Sequence, residues 1–260
     1  MCGVDLRKRK KTALIVKRRA FSCIMKRMEY SIQTAGGDLK FKLVRKRMKH
    51  IRIRVTGSRQ VVVSAPHRCA VGVITEFVKK SEAFILKQLA AVETARARHY
   101  PASYADGDKF TYLGGRAVLR VRPAARASAA FKDGVLTLSV PPGGSAKTQF
   151  IRWAAREARA VFAQRLAASA AEFSGADGLF VSAKRMLSRW GSINPSKGRL
   201  SLSVHLMRCE MDLIDYVIAH ELCHIGCMKH NARFYRALES HWPQRREMDR
   251  RLAAYGLVDF

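Results

Sequence analysis

The chain of 260 residues is long enough for one large domain or two small ones with full cores. Its composition, 48% hydrophobic and 27% charged, is that of an ordinary globular protein, and no apolar run is long enough to span a bilayer. The 49 Lys and Arg against 20 Asp and Glu leave a formal net charge of +29, a field that favours nucleic acid, an anionic membrane surface or acidic proteins. The longest apolar stretch of the basic N-terminus, Ala13-Leu-Ile-Val16, is too short for a signal-peptide core. Six cysteines without disulfide-framework spacing suit a reducing compartment, so a cytoplasmic location is expected.

Residues 1–27 hold ten Lys and Arg and one acid, Asp5, with no period, as expected of a basic flexible tail. Met25 or Met28 is a candidate natural start, which the intact mass of the endogenous protein decides. A β-rich basic domain is expected over 28–144. Residues 39–66 read as strands, Ile51, Ile53 and Val55 alternating with Arg52 and Arg54, so that one sheet face is apolar and the other basic. Residues 70–92 read as one helix with Ile74, Phe77, Val78, Ile85 and Leu89 on a side. Two further strand stretches run over 110–121, broken by Gly114-Gly115, and over 131–140, with a turn at Asp133-Gly134. Pro141-Pro-Gly-Gly144 is the clearest linker and the expected domain boundary. No internal repeat is visible. The charge follows this division, with a net of +23 over 1–150 and +6 over 151–260.

The second domain, 145–260, should open on a long helix over 147–173 and continue with strands over 178–184 and 199–204, joined by a loop over 189–198. A helix from Met211 follows, with Asp212 as its N-cap and Asp215 suiting the helix dipole. It runs into His220-Glu-Leu-Cys-His224. On a helix His220 and His224 stand one turn apart on one face, where two imidazoles can grip one zinc ion. Glu221 beside them can accept a proton from the activated water. Zinc needs a third protein ligand, and His230 has the best spacing, with Glu239 and Cys227 as alternatives. Cys223 suits a small buried side chain, and His50, His67, His99, His205 and His241 suit surface or satisfied core positions. A short helix opening at Asn231 and a last helix after Pro243, ending near Gly256, complete the chain.

Ser188-Arg-Trp-Gly-Ser192, the alternating strand after it, Tyr216-Val with His220-Glu-Leu-Cys-His224, then His230 and Phe234, together resemble the YgjP-like metallopeptidases, zincins related to the SprT/Spartan group. The similarity runs from about 38 to 250 and is most specific over 188–234. It implies an α+β fold in which the β-rich N-terminal subdomain with its helix precedes a zincin-like helical domain with a short sheet. It also implies that His220, His224 and His230 bind one zinc, that Glu221 is the catalytic acid–base, and that Arg189, Trp190, Gly191 and Ser192 shape a loop beside the active helix. Ile193 stands where the family commonly has Cys, and only packing is expected of it.

These features lead to a zinc-dependent metallopeptidase acting on protein or peptide, with non-specific nucleic acid a partner of the basic N-terminal region and no membrane. One alternative is a nucleic-acid-binding protein with a structural zinc, against which Glu221 argues, since a closed site has no use for it. Another is a zinc hydrolase of non-peptide amides.

Overall fold

The computed structural model describes residues 28–34 and 37–260; the expected basic tail, 1–27, lies outside the described residues. Among the described residues are six α-helices and three small sheets, a mixed α+β fold. The chain divides into two compact units, Met1–Ala90 and Ala91–Phe260.

The first unit is built on β1 (Met28–Thr34), β2 (Gly37–Lys46), β3 (Arg52–Val55) and β4 (Val61–Pro66), in the order β1-β2-β4-β3. The period-two pattern buries Tyr30, Ile32, Phe41, Leu43, Val61 and Val63 on one face. Ile74 and Val78 of α1 (Val71–Lys80) and Ile85 at the start of α2 (Glu82–His99) join that core. The single helix expected over 70–92 is therefore two. Ser81 between them leaves helical geometry at ψ 9°, and its N–H is shared between the carbonyls of Phe77 and Val78.

The second unit repeats this plan. Its strands β5 (Lys109–Tyr112), β6 (Gly115–Pro123), β7 (Ser128–Lys132) and β8 (Val135–Val140) follow the order β5-β6-β8-β7. In both sheets the central pair, β2 with β4 and β6 with β8, is parallel and the flanking pairs are antiparallel. Val63-Ser-Ala-Pro66 corresponds to Leu138-Ser-Val-Pro141, and a helix opens at Val71 in one case and at Ala146 in the other. The expectation of no internal repeat is thus corrected. The repeat is one of topology, and a strand needs only alternation of apolar side chains, not their identity.

Pro141–Gly144, the expected boundary, lies inside the second unit. Leu119, Leu136 and Leu138 of the sheet share one core with Phe150, Trp153 and Phe162 of α3 (Ala146–Ala170). The same core extends to the third sheet, β9 (Phe180–Lys184), β10 (Gly191–Asn194) and β11 (Arg199–Ser203), ordered β10-β11-β9. The segment expected as a loop over 189–198 thus holds an edge strand and a 3-10 turn. Asn194 accepts the Lys197 N–H, and Gly198 at φ 55° closes the turn.

α4 (Met211–Gly226), α5 (Ala232–His241) and α6 (Arg245–Tyr255) complete the unit. α4 buries Leu213, Ile214, Val217, Ile218 and Leu222, so it is a core helix. Its N-cap is Glu210, without a side-chain cap, and not Asp212 as expected. Asp212 instead pairs with Arg251 of α6, and Asp215 with Arg165 of α3. α5 opens at Asn231 as the sequence suggests, the Asn231 side chain accepting the Phe234 N–H at 3.1 Å. Among the described residues no helix is long and apolar enough to cross a membrane.

Candidate metal centre

α4 presents His220 and His224 from successive turns, and the chain then doubles back so that His230, just before α5, returns to them. His220 Nε2 and His230 Nε2 are 3.0 Å apart. One nitrogen from each of the three rings lies within 4.8 Å of the others, so the group could hold a metal ion. Phe234, fully buried on α5, packs on all three rings at centroid distances of 4.9, 4.6 and 4.6 Å. His224 Nδ1 lies 3.0 Å from the Cys227 carbonyl, which assigns the proton to Nδ1 and leaves Nε2 as the free lone pair. Burial, and then the neighbouring His224 and His230, hold the His220 imidazole down at about 4, so it is neutral near pH 7.

Glu221 is buried at 7% exposure. Burial pushes its carboxyl up to about 7, against the opposing pull of the Ile193 N–H and the Arg189 charge. It packs against β10 because Gly191 has no side chain. A Cβ there would stand 2.7 Å from Glu221 Oε1 and 2.8 Å from its Cγ. A cleft of about 590 Å³ opens over these groups, lined by Arg189, Trp190, Gly191 and Ser192 on one side and by α4 on the other. Tyr216, a turn before His220, lines it too and donates its hydroxyl to Asp249 of α6 at 2.6 Å.

The structure thus brings His220, Glu221, His224 and His230 to one cleft with the 189–192 segment. Trp190 is half-buried against the core, and the Arg208 guanidinium stacks over its ring at 5.5 Å. Glu239 is held by Arg245 at 2.7 Å. Cys227 Sγ donates to the Lys229 carbonyl and to Asn231 Oδ1 at 3.2 and 3.3 Å. Neither belongs to the histidine group. Cys223 is buried. Ile193 packs on the core, as expected of it. His99 and His205 are buried and bonded to Thr111 and Tyr100, His241 stacks on Phe173, and His50 and His67 are exposed. Sequence reasoning missed the Tyr216–Asp249 pair, because no local pattern links residues on two helices so far apart in the chain.

A cleft carrying three histidines able to hold a metal, within a mixed α+β fold, defines the class of candidate metal-dependent enzymes. A family model, the YgjP-like metallopeptidase domain, matches residues 49–255, most of the chain, and the chain belongs to that family. No curated protein and no solved structure matches the chain.

Proposed function

We propose that the chain is a zinc-dependent metallopeptidase that hydrolyses peptide bonds, with His220, His224 and His230 holding one zinc and Glu221 as the catalytic acid–base. The observation that carries this is the convergence of three imidazoles within 4.8 Å beside a buried carboxylate in an open cleft. The donor set suits zinc. Tetrahedral ligands at Zn–N distances of about 2.0–2.1 Å stand roughly 3.3 Å apart, close to the 3.0 Å between His220 and His230. Three neutral protein ligands leave one position open, as a catalytic site requires. When bound there, zinc would supply the Lewis acidity that makes water nucleophilic near neutral pH and polarises the scissile carbonyl.

The chain's own groups do the rest. Glu221 takes a proton from the attacking water and returns it to the leaving amine, the part of a carboxylate placed beside the histidine group. Gly191 lets that carboxylate approach the strand. Among the described residues β10 pairs with β11 alone, so no strand occupies its other edge. An extended peptide adding to that edge lies along the cleft, across Glu221 and the histidines.

Zinc per chain, measured side by side on the wild type and on His230→Ala, tests the site. The reading expects about one zinc in the wild type and a clear loss in the variant. No zinc in either, after reconstitution, would undercut it. Glu221→Gln should keep the zinc and lose peptidase activity by at least about 100-fold. An unchanged function in that variant would favour the structural-zinc alternative, and substrate profiling separates peptides from other amides.

A further inference from the structure

The first unit carries a surface that the metal centre does not use. Period two divides its sheet into the apolar face that α1 covers and an outer face holding the alternate residues. Lys40, Lys42 and Lys46 of β2 and Arg52 and Arg54 of β3 lie on that outer face, with Glu29 and Asp38 as its acids. Register aligns Glu29, Lys42, Val62 and Arg54 in one row across the four strands, and Arg52 with Ser64 and Val44 in the next. The segment between β2 and β3 adds exposed Arg47 and Lys49. Over residues 28–90 the sequence has 13 Lys and Arg against 4 Asp and Glu, a net of +9.

Most of these cations are uncommitted. Lys42 is shared with Glu29 at 3.5 Å and Gln60 at 3.2 Å. Arg45, of the opposite parity, is spent on the carbonyls of Pro66, His67 and Cys69. Lys40, Lys46, Arg52 and Arg54 are exposed and have no hydrogen bond or ion pair among the described residues. On the repeated sheet of the second unit, by contrast, Arg116 donates to the Arg98 carbonyl and Arg120 lies 3.9 Å from Asp106.

We propose that this outer face of the first sheet binds the phosphate backbone of duplex nucleic acid. The cations spread over ~20 Å along β2 and across two strand spacings, ~10 Å, to β3. A duplex offers one negative charge per ~1.7 Å of axis, so several are met at once. The face has no stacking platform for single strands: Tyr30 and Phe41 are buried on the other side, stacked on each other at 5.5 Å. Its apolar side chains, Val44 and Val62, are buried and half-buried, so it offers no exposed large apolar group to a bilayer. The exposed Phe77 and Phe84 belong to the helices, and α1 packs on the opposite face. Binding therefore positions the protein without reading bases.

The test is fluorescence anisotropy of the full-length protein with a labelled mixed-sequence DNA duplex of about 20 base pairs, titrated between about 50 and 200 mM salt. Removing four cations, in Lys40→Gln, Lys46→Gln, Arg52→Gln and Arg54→Gln combined, should lower the slope of log K against log salt by about 3 to 4 and weaken low-salt binding at least about 10-fold. Arg52→Lys with Arg54→Lys should keep the slope, since charge and not geometry is at stake. If the fourfold variant does not fold, Arg54→Gln alone should lower the slope by about 0.9. An unchanged slope in a variant with a wild-type melting curve overturns the proposal, as does wild-type binding to phosphatidylserine vesicles but not to the duplex. The readout needs neither zinc nor peptidase activity, so its failure and that of the proposed function are separate events.

Discussion

A methyl group added at Gly191 would stand 2.7 Å from Glu221 Oε1, and both groups are buried, so one of them must move. Displacing a catalytic group by about 1 Å costs on the order of 100-fold in rate. On the proposed function, Gly191→Ala should therefore lower kcat by about that factor while zinc content, read by elemental analysis, stays at the wild-type level. A variant with full kcat would show that Glu221 does not act from this position. The same scale separates what the residues announce from what they do not. The spacing of His220, Glu221 and His224 is legible because a helix of 3.6 residues per turn converts it directly into a shared face. The partner of Gly191 is not, because the contact joins a strand and a helix through space.

At the scale of elements, α4 is held by charge at its start and by a turn at its end. Asp215 pairs with Arg165 of α3 and Asp212 with Arg251 of α6, partly exposed ion pairs of which each contributes about 1 kcal/mol or less. The turn matters more. Asn231 caps α5 through the Phe234 N–H and also accepts the Cys227 thiol, so it ties down the segment that carries His230. Asn231→Ala should destabilise the fold by about 1 kcal/mol in chemical denaturation. On the proposed function it should also weaken zinc binding by about 10-fold, measured by competition with a chelating dye, because the proposed third ligand, His230, would then have to be ordered on binding. Loss of stability with unchanged zinc affinity would mean that His230 is placed by Phe234 packing alone. Helix limits here follow local chemistry, and the sequence reads Asn231 correctly. Asp212 misleads it, since a cap and a first-turn acid look alike until the partner, Arg251, is known.

For the molecule as a whole, buried histidines couple stability to pH. His205 is buried, its Nδ1 bonded to Tyr100, and burial first, then the Arg208 charge, hold it down at about 3; Asp259 raises it and Arg185 lowers it. Between that value and the ordinary 6.5 the unfolded chain binds a proton that the folded chain refuses. The contribution of His205 is thus full above about pH 6.5 and is lost as pH drops toward 3, by up to about 1.4 kcal/mol per pH unit, while Glu221, raised from 4.5 to about 7, acts in the opposite sense between those values. His99, held down at about 4 mainly by burial, acts in the same direction as His205. Asp259, held below the usual carboxylate range by Arg185, adds its loss only below about pH 4. His205→Gln should flatten the dependence between pH 4 and 6 by about one proton, read from urea midpoints across pH, although it lowers neutral-pH stability by unpairing Tyr100. An unaltered slope would mean that His205 protonates in the folded state.

The sequence by itself determined most of the elements, though not the break at Ser81 or the strand β10, and the histidine group, because strand alternation, helix period and residue spacing are local properties. It also determined that a basic sheet face exists, since Arg52 and Arg54 alternate with Ile51, Ile53 and Val55. Only the tertiary structure decided where the units divide, because the core that joins the second sheet to α3 and α4 is made of contacts between distant segments. It alone disclosed the repeated four-stranded plan, in which pairing order is conserved while residue identity is not. And it alone turned the 189–198 segment into an edge strand against Glu221, since four residues pair as a strand only when β11 is there to receive them.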